Sequence, residues 1–143
     1  MQGLPSTAMR VPLHTAPRVN RRVQENMMER VRKLEEADEM RLKKRLRELD
    51  AEWDTERVLE TNAAGLVLAG VVLGAVHSPK WLLLSGLASV FLLEHALQGW
   101  CPALPLMRRL GVRTLNEIEA EKETVRKIMQ RRLDNYQPPE AGE

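Results

Sequence analysis

The chain has 143 residues, 29% charged and 43% hydrophobic, with three Trp, one Tyr and one Phe. Residues 1–60 hold 13 Lys/Arg and 12 Asp/Glu, residues 61–100 only Lys80 and Glu94, and residues 101–143 hold 8 Lys/Arg and 7 Asp/Glu. Such segregation excludes a uniform soluble globule, and the single cysteine excludes a disulfide-stapled secreted domain. A net charge of +2, with no basic stripe free of acids, argues against a nucleic-acid partner.

Residues 1–17 carry three prolines and no periodicity, so a disordered N-terminal tail is expected, with no signal peptide core. Residues 18–56 read as one charged amphipathic helix. Val19, Val23, Met27, Val31 and Leu34 recur at spacings of three and four, and Leu42, Leu46, Leu49 and Trp53 resume the stripe after an interruption near Ala37–Glu39. Three occupants compete for that stripe: the inner leaflet, a second copy in a coiled coil, or the C-terminal helix. Nearly balanced charge weakens the leaflet reading and favours pairing with another helix.

Residues 57–114 hold two apolar runs separated by His77-Ser78-Pro79-Lys80. Ser78 suits a helix N-cap and Pro79 a first helical position, so the chain is expected to reverse there. Trp81 and Trp100 are 19 residues apart, which at about 1.5 Å per residue spans about 28 Å. A bilayer core is about 30 Å thick, and Trp favours its edges. Trp53, Trp81 and Trp100 are thus expected to be interface anchors. The predicted architecture is an all-α membrane protein: a two-span antiparallel transmembrane hairpin flanked by cytoplasmic amphipathic helices. The competing reading is a buried hairpin in a soluble bundle, which would need a polar face that neither run has. Lys43, Lys44, Arg45, Arg47 and Arg57 precede the first span and Arg108, Arg109 and Arg113 follow the second, against Lys80 alone in the turn. Both termini are therefore expected in the cytoplasm. Thr114-Leu115-Asn116-Glu117 fits a capping box opening an amphipathic helix over 115–134, with a disordered tail over 135–143.

Few residues point to chemistry. Gly70 and Gly74 form a GxxxG face, and Ser85 and Ser89 a small pair four apart on the second span. These are candidate helix-packing positions, either between copies or within the hairpin. Glu94 and His95 are candidate intramembrane polar groups, read as a snorkelling or hydrogen-bonded pair rather than a proton path. Cys101 is a candidate thiol; a buried, inert residue at a chain turn is the simpler reading. No nucleophile–base pair, phosphate loop, dinucleotide fingerprint or metal-ligand set stands out, so no catalytic residue, metal or cofactor is expected.

Gly99-Trp100-Cys101-Pro102 followed by Leu110-Gly111-Val112-Arg113-Thr114 resembles the YgaP-like transmembrane domain family, inner-membrane helical hairpins of unknown function. Asn62, Gly65, Cys101, Pro102, Gly111 and Thr114 look like the matching positions, and the resemblance covers about Arg57 to Thr114. It implies a hairpin, a bacterial inner-membrane location and a homodimer. The best-known relatives fuse this hairpin to a sulfurtransferase domain for which this sequence has no counterpart, so that activity is not implied. The leading expectation is a non-enzymatic hairpin that self-associates or scaffolds a protein partner through its cytoplasmic helices. The alternatives are a thiol accessory in sulfur, redox or haem handling through Cys101, and a small channel subunit using Glu94 and His95.

Overall fold

The computed structural model describes Ser6 and residues 9–136, and every regular element among them is helical. In chain order these are α1 (Arg10–Leu13), α2 (Pro17–Glu35), α3 (Glu39–Ala51), α4 (Thr55–Val76), a 3-10 turn (Pro79–Trp81), α5 (Leu82–Gln98), α6 (Leu104–Arg109) and α7 (Leu115–Asp134). They divide into two compact units, one of Met1–Val23 and Trp53–Leu115, the other of Gln24–Glu52 and Asn116–Glu143.

The first unit contains the two apolar helices. α4 and α5 have 22 and 17 residues, about 33 and 26 Å of helix. Both have the length and composition to cross a membrane. Within the chain only 17% of the apolar window in Glu39–Val76 and 11% of that in Pro79–Gln98 is buried. Leu66, Val71, Val72, Leu83, Leu87 and Val90 all stand exposed. A core helix of a soluble protein would be mostly covered, so this apolar surface calls for lipid.

Each helix begins and ends for a local reason. Asp54 caps α4 by accepting from Arg57 N at 2.8 Å, and Thr55 N and Oγ1 both donate to Arg113 O. Ser78 accepts from Lys80 N with Pro79 at the first position of the turn. Gly99, at φ +80°, closes α5 in the left-handed conformation, its N–H bonded to His95 O at 2.7 Å. A Cβ on Gly99 would also strike the backbone of Arg10.

α4 and α5 meet through small residues. A Cβ on Gly70 would lie 2.9 Å from both Ser85 N and Trp81 O and against Ser85 Oγ, while one on Gly74 would meet the Leu82 side chain. Ser85 Oγ donates to Val67 O across the pair at 2.9 Å. The GxxxG face is therefore filled by the chain's own second span. Ser89 departs from its expected place: it is exposed, and its hydroxyl returns to Ser85 O in its own helix. Ala88, three residues after Ser85, takes the contact face instead.

The N-terminal tail is also corrected. Residues 9–17 are not a disordered tail, because α1 forms and Val11 is buried with Leu59, Cys101, Leu104 and Met107. One apolar side chain reaching a distant core leaves no periodic trace. Residues 1–5, 7, 8 and 137–143, including most of the expected C-terminal tail, lie outside the described residues.

In the second unit the expected single helix over 18–56 breaks into α2 and α3. Asp38 restarts the helix, its side chain accepting from Arg41 N at 2.9 Å. Arg132 of α7 donates to the carbonyls of Glu35 and Ala37 at the end of α2, both at 2.6 Å. The apolar stripe is covered within the chain: Leu42 packs with Val125 and Ile128 of α7, flanked by Val31, Leu34, Leu46 and Met129. Within the chain, the stretch of the stripe from Val31 to Leu46 packs on the C-terminal helix. Asp38→Ala is expected to destabilise α3 by about 1 kcal/mol. Amide exchange in its first turn should then quicken about fivefold.

Polar groups are buried in this unit as well. The Glu121 side chain is 0% exposed and binds Arg45 twice, Oε1 to Nη2 at 2.8 Å and to Nε at 2.9 Å, and Arg30 at 3.3 Å. Lys122 bridges Glu119 at 2.7 Å and Asp50 at 2.9 Å. Its hydrogen bond to Glu119, and then that to Asp50, raise the ammonium above the ordinary lysine value.

Candidate thiol site

The foot of the α4–α5 pair gathers four side chains that are distant in the sequence. His95 lies in the last turn of α5, and the left-handed Gly99 turns the chain so that Cys101 comes back to the same ring. His95 is 1% exposed and Cys101 2%. Nε2 of His95 is 3.1 Å from Oε2 of Glu56, in the first turn of α4. The other carboxylate oxygen of Glu56 pairs with Arg10 Nη2 at 3.0 Å, and Arg10 Nη1 donates to Ala96 O at 2.9 Å. Ala96 O is one of the carbonyls left without a helical partner at the end of α5. The order is therefore thiol, imidazole, carboxylate, guanidinium.

This arrangement sets the imidazole's proton. A carboxylate only accepts, so Nε2 carries a hydrogen toward Glu56, and Nδ1 is the ring nitrogen turned away from the carboxylate. Nδ1 is buried and closes no hydrogen bond. The Cys101 side chain is nonetheless close enough to interact with the ring. A ring base oriented by a third group beside a thiol is the arrangement of a nucleophile and its base.

The floor of the site is fixed by α6. Arg108, 1% exposed, donates from Nη1 to Val112 O at 2.9 Å and from Nη2 to Asn20 Oδ1 at 3.0 Å. Asn20 in turn donates to Pro12 O at 2.9 Å, so the segment bearing Arg10 and Val11 is tied to α6.

Residues 54–117 match the family model described as inner membrane protein YgaP-like, transmembrane domain. This segment is similar to the YgaP-like transmembrane domain. No curated protein and no solved structure matches the chain. Glu56, His95 and Cys101 all fall inside the matched segment, whereas Arg10 and Val11 come from outside it.

The other expected site residues are scattered. Glu94 and His95 do not form a pair: neighbours on a helix point about 100° apart, and only His95 turns into the packed interior. Glu94 is half-buried and forms no ion pair among the described residues. Trp81 and Trp100 stand at the two ends of α5, each about two-fifths exposed. Trp53 precedes α4 and receives Arg57 over its ring at 4.5 Å. Among the described residues, no three His, Cys, Asp or Glu converge as metal ligands.

Sequence reading found no nucleophile–base pair, and the YgaP-like segment contains one candidate. The signal was the six-residue step from His95 to Cys101 across Gly99. Glu56 and Arg10 gave no signal, since each is one charge among many.

Proposed function

We propose that the chain is a thiol-bearing hairpin of the bacterial inner membrane, working through Cys101 as a carrier in sulfur, redox or haem handling. Two antiparallel spans place the turn at Ser78 outside and both termini in the cytoplasm. Contacts in reversed order, Gly74 with Leu82 and Gly70 with Ser85, support the antiparallel reading. The excess of Lys and Arg beyond the outer ends of the spans supports the orientation.

The observation that carries the thiol reading is the buried His95 ring, bonded to Glu56 at 3.1 Å with the buried Cys101 thiol beside it. The test is alkylation of the full-length protein in lipid vesicles at neutral pH by iodoacetamide. Cys101 is the only thiol, so the rate belongs to one atom. His95→Asn is expected to slow alkylation about tenfold or more, with Glu56→Gln intermediate. A wild-type thiol that does not react, or one indifferent to both substitutions, would overturn the reading.

A scaffold role is the second reading. It is supported by the separate core of Leu42, Val125 and Ile128, a helical module distinct from the apolar helices. Self-association gains no support from the GxxxG face, which the hairpin itself occupies. The channel reading loses its motive once Glu94 and His95 face different ways.

A further inference from the structure

Cys101 also lines a groove between α4 and α5 of about 160 Å³. Its walls include Leu59, Ala63 and Leu66 from α4 and Ala88 and Leu92 from α5, and apart from Asn62 and the thiol every lining residue is apolar. Leu66, on its outer wall, is half-exposed among the side chains that call for lipid. The space suits an apolar group of about benzene size, a cavity of about 150 Å³ being enough for that ring. A longer chain would leave through the open side into the surrounding bilayer. Small polar sulfur or peroxide donors have no polar wall to recognise here. Behind the groove, Nδ1 of the buried His95 has no hydrogen-bond partner, and neither has Nε of Arg10.

We propose that this groove receives the acyl chain of a fatty acyl thioester and that Cys101 accepts the acyl group. The proposal rests on the reading of Cys101 as a reactive thiol and adds its substrate class. The Cys101 proton passes to His95 Nδ1 as the sulfur attacks the thioester carbonyl. The new carbon–sulfur bond to Cys101 forms, the bond to the departing thiolate breaks, and the imidazolium returns the proton to that thiolate. The products are S-acyl Cys101 and a free thiol, with no change in oxidation state. The acyl chain is left between α4 and α5, and the polar leaving group at the membrane edge, where Trp100 lies.

The test uses the full-length protein in phosphatidylethanolamine–phosphatidylglycerol vesicles with palmitoyl-CoA as probe. Mass spectrometry should find one hydroxylamine-labile acyl group per chain, absent in Cys101→Ser and formed about tenfold or more slowly in His95→Asn. Filling the groove with Ala88→Leu should lower the ratio of palmitoyl to acetyl transfer about tenfold. Ala63→Val, on α4, makes the same comparison should Ala88→Leu unfold. Ready alkylation by iodoacetamide without any palmitoyl adduct overturns the proposal and leaves the thiol reading standing. A transfer ratio indifferent to both groove substitutions also overturns it. Failure of both reagents removes the thiol reading itself.

Discussion

Arg45→Met is expected to destabilise the α2–α3–α7 unit by about 3 kcal/mol, the loss that follows when a buried carboxylate is deprived of a closely bound cation. Glu121 is wholly buried, and Arg45 binds its Oε1 at 2.8 and 2.9 Å, with Arg30 on Oε2 at 3.3 Å. Arg30 is 39% exposed and binds at longer range, so it compensates only in part. Hydrogen exchange of the full chain should show amides of α3 and α7 losing protection about a hundredfold. Adding Glu121→Leu to Arg45→Met should recover much of the loss, because an apolar pair of similar size leaves no stranded charge. If the double variant is no more stable than the single one, the cost is lost packing and the electrostatic account fails.

Gly70→Ala should destabilise the hairpin by about 2 kcal/mol, whereas Gly65→Ala should be neutral or slightly stabilising. In an exposed helix interior alanine is better than glycine by about 1 kcal/mol. Gly65 sits in that situation, with nothing within 4 Å of its absent Cβ. At Gly70 the Cβ meets backbone atoms of the opposing segment at 2.9 Å, which no rotamer change relieves. The helices must separate, and overpacking of this kind costs about 1–3 kcal/mol. Ser85 Oγ would lose its bond to Val67 O in the same movement. Titration with sodium dodecyl sulfate in mixed micelles, followed by circular dichroism, measures both variants. Equal effects at the two glycines would show that the close approach at Gly70 is not what joins α4 to α5.

These two sites hold their units together by different means. α4 and α5 have no hydrophobic drive toward each other in lipid, so small residues and one hydroxyl hydrogen bond must bring them into contact. The α2–α3–α7 unit has a conventional apolar core and includes a carboxylate that must be fully bonded. The thiol site at the foot of the hairpin borrows from distant parts of the chain: Glu56 from α4, His95 from α5, Arg10 and Val11 from the N-terminal segment.

Sequence alone determined the helical class, the two membrane-length helices and the likeness to the YgaP-like domain. Each depends on short-range regularities: an apolar run long enough for a bilayer, a Ser-Pro turn, a three-and-four spacing and a Gly-Trp-Cys-Pro motif. Tertiary structure alone decided that the stripe from Val31 to Leu46 packs on α7, that Ser89 yields its contact to Ala88, that residues 9–17 fold, and that Cys101 meets His95. Those outcomes turn on contacts between residues tens of positions apart, and such contacts leave no period in the chain. The Glu56–His95 bond joins residues 39 positions apart, and Arg10 reaches Ala96 across 86. Burial then makes these contacts consequential, because a polar group removed from water must be bonded by whatever the fold brings to it.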